Sequence, residues 1–454
     1  MIDGPLTIPE LHAAYGRGYA ADAMVADCFA RIALANDPGI FLHLLPVDEV
    51  RKAARALPPF DARLFPLWGI PFAVKDNIDV AGLPTTAACP DFSYVATATA
   101  HVVQALLDAG AILIGKTNLD QFATGLVGVR TPHPVPRNAF DPLRVPGGSS
   151  SGSAVAVAQG LVAFSLGTDT AGSGRIPAAF NHLVGLKPTL GALSTRGVVP
   201  ACRTLDAVSI FAASVGDATA VFDVAAVYDP AEPYSRPLPA HDRAVARLGI
   251  PVAKDLRFFG DQFAADAWAQ SVTRLKASGV EVVEIDIAPL LDCAEMLYSG
   301  PWVAERRAAV GRFMDEKPEA MHPVTRRILA GADAYSAVDC FNAIYRLAAF
   351  RRLSDRIFQG IDALAVPTAP IFPTLADLAQ DPLGPNTRLG TYTNFVNLLD
   401  LAAIAVPGPF RQDGLPAGAT FIAPAGSDRH LAQLAAAFFP GVGGRLASRA
   451  LVGA

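Results

Sequence analysis

The spacing of apolar positions changes character along the chain, and the changes mark out its elements. Thr7-Ile8-Pro9-Glu10 sets a capping hydroxyl, an early proline and an acid at the capping-box position ahead of an apolar-periodic run, which predicts a helix start. Helical spacing continues at intervals to about residue 57. After Pro66-Leu67-Trp68-Gly69 the apolar runs shorten. Residues 70–74 and 111–114 read as buried strands on either side of a helix over 101–110, and an Ala/Val helix over 153–160 precedes a strand at 162–166. Residues 230–352 are more charged and more helical in pattern, and 362–367 and 402–407 restore strands that end at proline. This alternation predicts an α/β chain with helices on both faces of a sheet. Its parts are an N-terminal helical portion over about 1–60, a sheet core over about 61–225 and 360–454, and a helical excursion over about 230–352. No Gly/Ser linker, acidic run or repeat divides them, so a single domain is expected although 454 residues would allow about three.

Composition narrows the classes. Apolar residues make up 52% and charged ones 17%, which requires a large core. Lysine and arginine number 37 against 42 acids, a net charge of −5, and this excludes the basic footprint of a nucleic-acid partner. A mean hydropathy of +0.33 raises the question of a membrane. The longest uncharged stretch, 145–168, opens with Pro146-Gly147-Gly148-Ser149-Ser150-Ser151-Gly152-Ser153; that much loop chemistry makes it a buried segment and predicts no membrane partner. Asp3, Gly4 and Pro5 begin the chain without a basic leader, so a cytoplasmic address is expected. Cys28, Cys89, Cys202, Cys293 and Cys340 have neither disulfide-framework nor zinc spacing, and read as reduced core residues with no metal or cofactor implied.

Two motifs match well-known patterns for the wrong reason. Gly110-Ala111-Ile112-Leu113-Ile114-Gly115-Lys116-Thr117 fits a phosphate-binding loop, but its four central residues are themselves an apolar strand whose N–H groups belong to a sheet ladder. Gly148-Ser149-Ser150-Ser151-Gly152 fits an esterase elbow centred on Ser150, with Asp428 and His430 available downstream, yet Pro142 and Pro146 make a poor strand leading into it.

A third arrangement is more specific. It joins Val74-Lys75-Asp76-Asn77, the Gly/Ser run 146–153, Leu166-Gly167-Thr168-Asp169-Thr170-Ala171-Gly172-Ser173-Gly174-Arg175 and Gly185-Leu186-Lys187-Pro188-Thr189, with Ser149 and Ser173 24 positions apart. A serine is a poor nucleophile without a base to take its proton, and a lysine at the end of a buried strand has its pKa lowered toward neutrality by desolvation. Small residues over Thr170-Ala171-Gly172-Ser173 let a substrate carbonyl reach successive backbone N–H groups. Together these motifs resemble the amidase signature family, whose fold is a mixed central β-sheet covered by helices on both faces. The resemblance implies a Ser-cisSer-Lys triad with Ser173 as nucleophile, Ser149 as the bridging serine in a cis peptide and Lys75 as base. It also implies an oxyanion hole from the N–H groups of Thr170, Ala171, Gly172 and Ser173. Asp169 and Arg175 are expected to hold this loop without entering the chemistry.

Within that family, Ser151, Ala171 and Gly174, with the stretches 117–128 and 199–206, look like the allophanate hydrolase branch; the alternatives are an amidase of another small carboxylated amide, malonamidase-like, the glutamine amidase subunit of a tRNA amidotransferase, or a non-catalytic module that binds a small anion. Tyr298-Ser299-Gly300-Pro301-Trp302-Val303-Ala304-Glu305-Arg306 adds to this. Pro301 suits a helix's first turn, which would let Tyr298 and Arg306 face one pocket, and a guanidinium fork matches a carboxylate. The resemblance assigns these two residues, with Gly125 and Gly148, to binding a small anionic amide. It further implies a homodimer. The additional C-terminal domain of many relatives is expected to be absent.

Overall fold

The computed structural model describes residues 4–238 and 246–445. Asp3, the stretch 239–245 of the excursion and the tail from residue 446 lie outside the described residues.

The short apolar runs become strands lying side by side. In chain order they are β1 (Phe41–Leu44), β2 (Pro71–Lys75), β3 (Pro84–Thr85), β4 (Tyr94–Val95), β5 (Ile112–Thr117), β6 (Phe164–Asp169), β7 (Val184–Lys187), β8 (Ala207–Ala212), β9 (Arg247–Pro251), β10 (Glu281–Ile285), β11 (Ala363–Pro367), β12 (Leu401–Pro407) and β13 (Gly418–Pro424). Eleven form one sheet in the order β1-β5-β2-β6-β8-β7-β12-β13-β11-β9-β10, while β3 and β4 pair separately. The sheet is mixed: β5-β2-β6 and β11-β9-β10 run parallel, and the other neighbours antiparallel.

Side chains alternate between the two faces, as strand geometry requires. Ala363 and Ala365 of β11, and Ala402, Ile404 and Val406 of β12, enter one core; Leu364, Val366, Leu401 and Ala403 enter the other. The first core takes in the N-terminal helices and Ser151–Ala158, the second the helices Ala288–Glu295 and Asn394–Leu398. Helices therefore cover both faces, as expected. No helix among the described residues is long and apolar enough to cross a membrane.

Three details differ from the sequence reading. Strand β1 lies within the N-terminal portion read as helical, and β9 and β10 lie within the excursion. β1 and β10 are partly exposed edge strands, so they lack the continuous apolar run that marks β2 or β6. Thr7 caps Ile8–Gly16 as expected, but Glu10 accepts from the Thr7 hydroxyl at 2.9 Å instead of completing the box at the Thr7 backbone. All five cysteines are free; four are buried, whereas Cys340 is only partly so.

Candidate active site

Lys75 is the last residue of β2, the middle strand of the parallel trio β5-β2-β6, and is fully buried. Its Nζ donates to Ser149 Oγ and to Thr168 Oγ1, each at 2.7 Å. Thr168 is near the end of neighbouring β6 and also accepts from Asn77 Nδ2 at 3.4 Å. No carboxylate among the described residues lies within ion-pair distance of Lys75. Burial pushes its pKa down to about 7, against the opposing pull of Asp120, Asp206 and Asp169.

Ser149 sits in the loop before helix Ser151–Ala158, and the Gly148–Ser149 peptide is cis. The loop 120–128 clamps it from below: Asp120 N–H donates to Ser149 O at 3.0 Å and Gly148 N–H to Leu126 O at 2.9 Å. The Asp120 carboxylate in turn accepts from the N–H groups of Val127, Gly128 and Arg130 at 3.3, 2.9 and 2.8 Å. A side chain at Gly148 or Gly125 would collide with that carboxylate, so both positions admit only glycine.

Ser173 makes no hydrogen bond to Ser149; its hydroxyl donates to Gly125 O at 3.3 Å. Of the four backbone donors expected to form an oxyanion hole, Gly172 is already committed, donating to Asp169 Oδ1 at 3.0 Å. The N–H groups of Thr170, Ala171 and Ser173 have no acceptor among the described residues. Asp169 is the clasp of the loop. Its two oxygens also take Gly174 N–H and both Nε and Nη2 of Arg175, all at 2.9 Å, in a fully buried ion pair. Burial alone would raise the Asp169 pKa, but the Arg175 guanidinium prevails and holds it below the usual carboxylate range. Thr170 Oγ1 donates to buried Asp206, whose carboxyl burial pushes up to about 6.

Arg306 and Tyr298 are brought together as expected. Pro301 caps helix Trp302–Glu316 rather than occupying its first turn, a shift of one residue. Arg306 is 1% exposed, yet no carboxylate among the described residues reaches it. Its hydrogen bonds are weak: 3.4 Å to Ala123 O, 3.3 Å to Thr124 Oγ1 and 3.3 Å to Tyr298 Oη, while its buried Nε has no partner. The guanidinium also lies 5.1 Å from the Tyr298 ring centre. Residues 123–125 thus carry the contacts of Arg306 at one end and of Ser173 at the other.

The Amidase family model matches residues 23–432. The chain belongs to the amidase family. The amidase is 49% identical over 382 residues to the urea amidolyase of Saccharomyces cerevisiae, a match covering 83% of this chain and 21% of that protein. It is 34% identical to a glutamyl-tRNA(Gln) amidotransferase subunit from Chloroflexus aggregans, over 92% of both chains. The solved Kluyveromyces lactis allophanate hydrolase superposes with a TM-score of 0.89 at 42% identity, covering 96% of this chain and 72% of that one. The amidase therefore spans about a fifth of the length of the urea amidolyase it matches.

The two decoy motifs resolve structurally. Lys116 of the phosphate-loop match lies in β5 and is buried against Asp76 at 3.1 Å, donating also to Pro84 O and Thr85 Oγ1. Ser150 Oγ donates to Thr168 O at 3.1 Å, and Asp428 is occupied by the N–H and hydroxyl of Thr189 at 2.8 and 2.6 Å. Sequence reasoning missed Thr168, Asp120 and Asp206 as supports. It also missed Asn397, which ties Arg175 Nη2 (3.1 Å) to the backbone oxygens of Asp169 (2.8 Å) and Leu205 (2.9 Å). Thr168 and Asp206 fall within quoted motifs, but nothing in one sequence singles them out; Asn397 stands 228 positions from Asp169 and carries no local signal.

Proposed function

We propose that this amidase hydrolyses allophanate, urea-1-carboxylate, at its terminal amide. The observation carrying this reading is Arg306: a buried guanidinium without a counter-ion, beside a phenol and two residues from the Ser173 contact, is an anion site awaiting a carboxylate. The similarity to allophanate hydrolase and urea amidolyase supports it.

In this mechanism neutral Lys75 takes the proton of Ser149, and Ser149 takes that of Ser173 after the Ser173 hydroxyl rotates away from Gly125 O. Ser173 Oγ attacks the amide carbonyl, and the oxyanion receives the free N–H groups of Thr170, Ala171 and Ser173. Asp169 and Arg175 keep those donors aimed. Ser149 returns a proton to the leaving nitrogen, ammonia departs, and water cleaves the acyl-serine through the same relay to give N-carboxycarbamate, which decays to ammonia and carbon dioxide. Every step is carried by these side chains and the backbone donors, so the mechanism calls for no metal or cofactor. The space beside Gly125 and Gly148 is filled by the Asp120 carboxylate, so these two residues would meet the substrate through their backbone. The assembly we propose is a homodimer located in the cytoplasm, in keeping with the free thiols.

Ammonia release from allophanate, malonamate, glutamine and a long-chain amide tests the reading. Allophanate should be turned over with the highest kcat/KM and Ser173→Ala should be inactive; preference for an uncharged amide would overturn the assignment.

A further inference from the structure

The loop 120–128 touches both serines of the proposed relay. Its Gly125 carbonyl accepts from Ser173 Oγ at 3.3 Å, and the next carbonyl, that of Leu126, accepts from Gly148 N–H at 2.9 Å, directly ahead of Ser149. Between these two oxygens lies Leu126 N–H. It leaves the loop altogether and donates to Asn386 Oδ1 at 2.8 Å, across 260 positions of sequence.

Leu126 N–H and Gly125 O belong to one rigid trans peptide and point to its opposite edges, so whatever holds the N–H also aims the carbonyl. Leu126 and Asn386 are both buried. Only the oxygen of a side-chain amide can accept from a backbone N–H, which fixes the orientation of the Asn386 head group. Without that acceptor the buried N–H would turn toward another, and Gly125 O would turn with it.

Asn386 is itself firmly seated. It lies in the short helix Gly384–Leu389, where Asp381 accepts from the N–H groups of Leu383 and Gly384 at 3.1 and 2.9 Å. Arg130 ties the same segment to the loop a second time, donating from Nη2 to Pro382 O at 3.1 Å and from Nη1 to Thr124 O at 3.0 Å. The loop's contacts are thus divided along its length. Arg306 meets Ala123 and Thr124, ahead of the peptide that Asn386 holds.

We infer that Asn386 is a positioning residue for the amide hydrolysis: by fixing the Gly125–Leu126 peptide it sets the Ser173 hydroxyl and the Gly148–Ser149 backbone where one rotation of Ser173 joins the relay. It acts through Leu126 and takes no part in the chemistry. The inference rests on the proposed relay of Ser173, Ser149 and Lys75, but not on which amide is cleaved.

Asn386→Leu keeps the volume and removes the acceptor, while Asn386→Asp keeps the oxygen. With the amide that the wild type turns over fastest, on the plateau of its pH profile, Asn386→Leu should lower kcat by about thirtyfold with KM held within about twofold. Asn386→Asp should recover at least about a third of the wild-type kcat. Labelling of Ser173 by a sulfonyl fluoride, which needs an aimed nucleophile but neither a leaving nitrogen nor a carboxylate, should slow in the same proportion as kcat. The acid limb of the profile should stay in place, because a merely loosened fold would wet Lys75, move that limb upward and raise KM. If Asn386→Leu does not fold by circular dichroism, Asn386→Ser, too short to reach Leu126, is read in its place. A folded variant with kcat within about threefold of wild type would overturn the inference, as would a parallel rise in KM, a shifted limb or a failure of Asn386→Asp to restore the rate. Turnover surviving in Ser173→Ala would overturn the relay and this inference with it, whereas preference for an uncharged amide would overturn the allophanate reading alone.

Discussion

Lys75 ends an inner strand of the sheet, while Arg306 hangs from a helix of the excursion; both are buried, and among the described residues neither has a carboxylate within ion-pair distance. The same burial has opposite consequences. A lysine escapes the cost of a buried charge by losing its proton, and Lys75 is pushed to about 7. An arginine has no such exit and keeps its charge. Arg175 shows the third outcome, a buried guanidinium answered by Asp169 at 2.9 Å and freed of any need for a ligand. In the proposed mechanism one fold thus makes a base, an anion site and a strut from three cations, according to whether each can deprotonate and whether a carboxylate stands beside it.

The comparison breaks most severely at Lys75. Lys75→Arg keeps a cation but denies it deprotonation, and Lys75→Met removes the amine; each should lower kcat for allophanate by at least about a thousandfold while leaving a folded protein. Activity of Lys75→Arg within tenfold of wild type would show that a neutral amine is not the base. At Arg306 the effect should be smaller and of another kind. Arg306→Met should raise KM for allophanate by about a hundredfold and spare uncharged amides, the cost of truncating a charge-assisted hydrogen bond. Equal losses on charged and uncharged substrates would mean that Arg306 holds the 123–125 loop instead of a carboxylate.

How these residues could be read from the sequence follows the same division. Lys75, Ser149 and Ser173 lie in contiguous runs of small and polar residues at the ends of apolar strands, so their placement is local and legible. Arg306 was legible only with Tyr298, because eight positions across a helix start can put two side chains in one pocket. What stayed hidden depends on pairing. Asp120 and Asn397 matter through backbone groups far away in sequence or in a tight loop, and β9 and β10 became strands by joining a sheet edge through parallel partners. The commitment of Gly172 N–H to Asp169 is likewise a property of the folded turn.

A subtler test moves the base without removing it. If neutral Lys75 is the base, as proposed, kcat/KM should climb tenfold per pH unit up to about 7 and level off above it. Asp206 favours the charged amine, so Asp206→Asn should move this limb to lower pH while keeping an acceptor for the Thr170 hydroxyl. Because burial raises Asp206 itself to about 6, it is increasingly protonated below that pH, and the two profiles should converge there. A limb that moves upward, or stays in place, would remove Asp206 from the field around Lys75.

The smallest effect is expected at Thr168. Its hydroxyl accepts from Lys75 at 2.7 Å and from Asn77 at 3.4 Å, so both neighbours fix it as an acceptor. A neutral amine that donates one proton to Thr168 has its lone pair free to face Ser149. Thr168→Val keeps the shape and removes the acceptor, at a cost of about 1 kcal/mol, or roughly fivefold in kcat. Since the protonated amine loses more from a missing acceptor than the neutral one, the acid limb should also move down slightly, with KM unchanged because Arg306 is untouched. Steady-state rates of ammonia release across pH separate this from a merely loosened strand, which would raise KM as well.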